Sequence, residues 1–174
     1  MSLKNLAGIQ QVYELTKKAR AAQPKLSLYS QEQIDRIVAA MAKAGRDASE
    51  YLARLAAGET KLGRVESKIA KNRFAVDEVY ESIQSLKTVG VIGYDEVQRC
   101  YEIAEPVGVI AAVIPMTNPT STAMFKALIG IKSRNSVIFA PHPKAVRCID
   151  EAVKVMRDAA IGAGAPEGFL ECLT

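Results

Sequence analysis

The chain has 174 residues, enough for one domain or part of a larger one, and its 49% hydrophobic and 24% charged composition excludes a disordered polymer. Its 23 basic and 19 acidic residues leave a net charge of +4. They are interleaved along helical stretches such as Lys68-Ile69-Ala70-Lys71-Asn72-Arg73 with no recognition module beside them, so a nucleic-acid partner is discounted. No apolar run approaches the ~20 residues that span a bilayer.

Residues 5–22 read as a helix, with Leu6, Ile9 and Tyr13 on one face, Val12 and Leu15 beside them, and Gln23-Pro24 as its end. Ser30 followed by Gln33 is a capping box, with Tyr29 placed to staple against Ile34. The helix that follows shows Ile34, Ile37, Val38 and Met41 at helical spacing. Gly45 is expected to break it, Asp47 or Ser49 to restart it through Tyr51, Leu52 and Leu55, and Gly58 to cap it. A long helix is expected over residues 64–86, its buried side marked by Val65, Ile69, Val76, Val79, Tyr80 and Ile83. Residues 88–92 and 97–104 are β-branched and aromatic, and predict a hairpin around a four-residue turn, Gly93-Tyr94-Asp95-Glu96.

From Glu105 the pattern becomes strand, helix, strand, helix, strand. Val107 to Ile114 are apolar or glycine without alternation, as expected of a parallel strand covered on both faces. Pro115 ends it, and Asn118-Pro119 reads as an N-cap with proline at the first helical position. A helix over 120–133 turns Met124, Phe125, Leu128 and Ile129 to the sheet and leaves through Asn135. Val137-Ile138-Phe139 is the second strand, stopped by Pro141-His142-Pro143. A second helix over 144–163 carries Val146, Ile149, Val153, Met156 and Ala160 on one face, with Gly164 as its cap, and residues 169–173 form a third strand. The fold class is therefore α/β: an N-terminal helical layer (1–86), a hairpin (87–104) and half of a doubly wound parallel sheet (105–174). Ending inside a strand, the chain is expected to be the N-terminal portion of a longer polypeptide.

Ligands of such sheets bind beyond the carboxyl ends of the strands. Here those ends are Ile114-Pro115-Met116-Thr117-Asn118 and Ala140-Pro141-His142-Pro143, and neither contains G-x-G-x-x-G. The oxygen of Asn118 can cap the following helix, which leaves the amide NH₂ free to donate to a developing oxyanion. Cys100, Cys148 and Cys172 are scattered, suit a reducing cytoplasm, and read as structural. With His142 the sole histidine, no metal site is expected.

Glu105-Pro106-Val107-Gly108-Val109-Ile110 followed by Pro115-x-x-Asn118 resembles the aldehyde dehydrogenase superfamily. Ile103 to Gly108, Thr117 to Thr122, Phe125-Lys126-Ala127-Leu128, Pro141-His142-Pro143, Ala163-Gly164-Ala165-Pro166 and Gly63 to Asn72 resemble its CoA-acylating branch, which includes the aldehyde half of bifunctional aldehyde–alcohol dehydrogenases. The resemblance implies a cytoplasmic enzyme converting an aldehyde, NAD and coenzyme A to acyl-CoA and NADH. It implies Asn118 as oxyanion donor, Ile114, Pro115, Met116 and Thr117 as the wall lining NAD, and Ala140, Pro141 and His142 near the adenosine ribose. It also implies a catalytic cysteine beyond Thr174, so that the isolated chain is expected to be inactive. The tip of the 88–104 hairpin is not covered by this chain, so it is expected to pair with another subunit in a homo-oligomer or with a missing domain. Ala140 and Pro143 depart from the lysine and the acidic residue usual in hydrolytic relatives. The alternatives are a nucleotide-binding module without catalysis and an oligomerisation fragment.

Overall fold

The structure is a computed structural model that describes residues 3–174, with side chains from Leu6 onward. Among the described residues seven helices and five strands follow in the order α1 (Leu3–Ser27), α2 (Gln31–Asp47), α3 (Ser49–Thr60), α4 (Val65–Val76), α5 (Glu78–Gln84), β1 (Gly90–Asp95), β2 (Cys100–Ala104), β3 (Val109–Ile114), α6 (Pro119–Lys132), β4 (Ser136–Pro141), α7 (Val146–Gly162) and β5 (Leu170–Cys172). Strands β3, β4 and β5 form a parallel sheet in that spatial order, with Ile114 opposite Pro141. Two crossovers advancing in one direction put α6 and α7 on the same face. Helix α1 packs on the other face, and α2, α3 and α4 cover α6 and α7 as an outer layer.

The core follows from this layering. Ile34, Ile37, Val38 and Met41 of α2 meet Met124, Leu128, Ile149, Val153 and Met156 of α6 and α7, above Phe139 and Phe169. Burying each large apolar side chain contributes on the order of 2 kcal/mol. The capping box of α2 forms as expected, with Ser30 Oγ accepting from Gln33 N at 3.2 Å and Ser30 N donating to Gln33 Oε1 at 2.8 Å.

Several boundaries differ from the expectation, each for a long-range reason. Helix α1 runs through Pro24 because its last turn is held from outside. Gln23 donates to Arg134 O and accepts from Ser136 N, and Leu26 is fully buried. The stripe of Leu6, Ile9, Val12 and Tyr13 lies exposed, and α1 buries Leu15, Ala19, Ala22 and Leu26 instead. Gly45 does not break α2. A Cβ there would stand 2.7 Å from Val76 Cγ1, so glycine permits the close approach of α4. Gly58 is interior to α3, and Lys61 takes the left-handed exit at φ 57°. The 64–86 helix is two helices, divided at Asp77, whose carboxylate pairs with Arg46 of α2.

The hairpin turn lies at residues 96–99, not 93–96. Asp95 Oδ1 accepts from Val97 N and Gln98 N, an Asx turn that draws the chain past Glu96 before Arg99 closes it at φ 53°. Asn135 does not carry the left-handed exit of α6. Arg134 does, at φ 59°, while Asn135 Oδ1 accepts from Gly108 N and so fixes the entry to β3. Strand β3 is not covered on both faces: Val109 packs under α1 with Leu15, Ala19 and Ile138, but Ala111 and Val113 on that face are exposed. Phe125 and Ile129 are half-exposed rather than seated on the sheet.

Candidate active site at the carboxyl end of the first parallel strand

The chain turns sharply between β3 and α6, and this turn carries most of the residues singled out above. Ile114 is buried at the end of the strand, Pro115 and Thr117 are exposed, and Met116 and Asn118 are half-buried. The second strand end lies alongside, where His142 N donates to Ile114 O at 3.0 Å. Ala140, Pro141 and His142 are half-buried, and His142 Nδ1 accepts from Lys144 N at 3.1 Å. The imidazole thus serves its own loop.

Asn118 sits at the N-cap position of α6, but its side chain does not cap the helix. Its Oδ1 accepts from Lys71 Nζ of α4 at 2.8 Å, which corrects the expected cap. An ammonium has only donors, so this contact selects the oxygen and fixes which way the amide is turned. The Nδ2 group has no protein acceptor among the described residues, and no side chain closes the first turn of α6.

Helix α4 meets the turn at three points. Lys68 Nζ donates to Thr117 O at 3.3 Å, Lys71 reaches Asn118, and Asn72 Oδ1 accepts from Thr120 Oγ1 at 2.8 Å while its Nδ2 donates to Ser49 O. Spacing of i, i+3 and i+4 puts all three on one face of the helix. Lys68 is 6% exposed, and burial, helped by the nearby Lys71 charge, pushes its pKa down. These residues were missed as site residues, although the stretch Gly63 to Asn72 carried the signal.

A cleft of about 360 Å³ opens beside Asn118, walled by Phe74, Ala75 and Val79 of the α4–α5 region and by Thr122 and Phe125 of α6. Of the residues expected in the site, only Asn118 lines it. The turn 115–118 therefore stands between an apolar cleft and the paired strand ends.

The N-terminus of α7 is closed as an anion site. Glu59 of α3 accepts from Arg147 N at 2.9 Å and from Cys148 N at 2.7 Å, occupying the positive end of the helix. The described residues thus offer the pyrophosphate of a dinucleotide no open helix end at α7. Burial, with Glu59 beside it, pushes the Cys148 thiol up to about 12, and burial pushes Cys172 to about 12 as well. Neither is a nucleophile at neutral pH. These raised values favour the fold fully below the ordinary thiol value of 9.0, and that stability is lost as pH rises from there toward about 12. At pH 8, iodoacetamide should alkylate Cys100, which is exposed, well before the two buried thiols. Peptide mapping that finds Cys148 or Cys172 modified as fast would contradict this burial.

A family model described as the aldehyde dehydrogenase family matches residues 4–174. The chain belongs to the aldehyde dehydrogenase family. It is 42% identical over 170 residues to the bifunctional aldehyde-alcohol dehydrogenase of Escherichia coli, covering 98% of this chain and 19% of that relative. It superposes on an acetylating aldehyde dehydrogenase from Geobacillus thermoglucosidasius with a TM-score of 0.96 at 48% identity, covering all of this chain and 38% of that one. A Rhodopseudomonas palustris propionaldehyde dehydrogenase with bound CoA and an acylated cysteine gives a TM-score of 0.76 at 29% identity, over 91% of this chain and 36% of that one. The chain thus spans less than two fifths of these family members. No described helix is long and apolar enough to cross a membrane.

Proposed function

We propose that this chain is the N-terminal part of a cytoplasmic, NAD-dependent, CoA-acylating aldehyde dehydrogenase that converts an aldehyde, CoA and NAD to acyl-CoA and NADH. The observation that carries the reading is Asn118. Its amide oxygen is held by Lys71, its NH₂ has no protein acceptor among the described residues, and the residue lines an apolar cleft, in a chain 48% identical to an acetylating member of the family. In the complete enzyme the Asn118 NH₂ donates to the oxygen of the aldehyde as a cysteine thiolate, supplied from beyond this chain, adds to the carbonyl carbon. The Rhodopseudomonas relative, with its acylated cysteine and bound CoA, supports a thioester passed from protein to CoA. Ile114 to Thr117 and Ala140 to His142 would flank the dinucleotide, which when bound supplies the hydride acceptor. The 87–104 hairpin is read as an oligomerisation arm. Val91, Ile92, Tyr94, Tyr101 and Ile103 are exposed along it, and it makes few contacts with the rest of the chain.

The test mixes acetaldehyde, NAD and CoA with the whole polypeptide containing this chain and, separately, with the 174 residues alone. NADH formation that requires CoA is expected from the first and none from the second. CoA-independent NADH would refute the acylating activity, and turnover by the isolated residues would refute the division of the site.

A further inference from the structure

The stretch Gly63 to Asn72 has no part in the chemistry as read above, yet it supplies every side chain of α4 that grips the β3–α6 turn. We propose that Lys71 is a positioning residue for the Asn118 carboxamide, taking up its oxygen so that the NH₂ is the group left facing a ligand. An unrestrained asparagine at this place can present either end of its amide, or can turn its oxygen back to cap α6 as N-cap asparagines commonly do. The Lys71 ammonium removes both options, since it bonds only to the oxygen and draws it away from the helix end. A cation on the oxygen also polarises the amide, which makes its N–H a stronger donor.

Lys71 is itself exposed, so a single contact would be weak. Its neighbours make the geometry firm. Lys68, buried one turn earlier, fixes the Thr117 carbonyl, and Asn72, 1% exposed, ties Thr120 to Ser49. Residues 117, 118 and 120 are thereby each bound to α4, and the turn cannot rotate without breaking all three bonds. Helix α4 is in turn packed on α2, α3 and α6.

This inference rests on the reading of Asn118 as oxyanion donor, and a double-mutant cycle separates the two. In the complete enzyme, kcat and the KM for acetaldehyde are measured at saturating NAD and CoA for Lys71→Met, Lys71→Arg, Asn118→Ala and the Met–Ala double variant. Lys71→Met should lower kcat about tenfold, less than the roughly 100-fold that misplacing a reacting group can cause, with KM nearly unchanged. Lys71→Arg should recover most of the loss, and Lys71→Met in the Asn118→Ala background should do nothing further. An unchanged kcat in Lys71→Met beside an impaired Asn118→Ala overturns this inference alone, as does an equal loss from Lys71→Met in both backgrounds. An unchanged kcat in Asn118→Ala overturns the oxyanion reading and this inference with it.

Discussion

Asn118→Ala should lower kcat of the complete enzyme by roughly 10²–10³, the effect of deleting one preorganised oxyanion donor, or about 3–4 kcal/mol of barrier. The side chain is suited to reveal this because it does little for the fold. It makes no capping bond to α6, its one partner among the described residues is the solvent-exposed Lys71, and backbone atoms close the first turn, with Thr122 N donating to Asn118 O at 3.1 Å. Stability should therefore fall by less than the ~1 kcal/mol typical of a lost N-cap. Asn118→Asp is the sharper variant: it keeps the size and the contact with Lys71 but replaces the donor with a second acceptor, so it should be no better than alanine. An Asn118→Ala enzyme with native kcat, or one that melts many degrees lower, would show that the residue serves the fold and not the chemistry.

Asp35→Ala should destabilise the fold by about 3 kcal/mol, the lower end of what breaking a buried ion pair costs when one charge is left behind. The stranded partner is Lys132, whose side chain is 4% exposed. Its ammonium donates to Asp35 Oδ1 at 2.6 Å and to Gln84 O at 2.8 Å, where α2, α5 and α6 converge. Without Asp35 the ammonium keeps one carbonyl and no counter-charge. The reverse deletion is gentler. Lys132→Met leaves Asp35 partly in solvent, still accepting from Gln31 Nε2, and strands only the Gln84 carbonyl. That loss should stay near 1–2 kcal/mol. Urea unfolding of the three proteins at one pH gives both values. Equal losses, or a larger one for Lys132→Met, would show that water reaches the ammonium and that the pair is not buried in effect.

What could be read from the residues was what neighbours along the chain decide. The Ser30–Gln33 box, the stripe from Ile34 to Met41 and the left-handed exit through Gly164 at φ 104° rest on residues a few positions apart, and the three parallel strands, though they pair over long sequence distances, are each marked by their own apolar run. What escaped depended on distant partners. Pro24 stays helical because Gln23 is bonded to residues more than a hundred positions away. Gly45 is glycine because of Val76, and Arg134 takes the strained exit while its guanidinium reaches Ser27 O and Ala104 O. Asn118 illustrates both cases. Its position at the strand-to-helix turn was legible, but the partner of its oxygen was not, because Lys71 lies on a helix 47 positions earlier.

Helix α7 is gripped at both ends by the outer layer, by α3 at its start and by α2 and the α1–α2 connection at its end. Glu59 holds its first amides, while Tyr29 Oη and Arg36 Nε donate to the carbonyls of Gly164 and Ala163 just past its last turn. A free helix surrenders its terminal amide protons to solvent first, because nothing within the helix accepts them. In α7 the Arg147 and Cys148 amides are instead tied to α3, so they open only when that helix lets go. Fraying, ordinarily a local and low-energy event, becomes here part of a larger cooperative opening. The strand end carrying Ala140 to His142 leads by a short turn into this helix, and it is joined to an element that cannot loosen by itself.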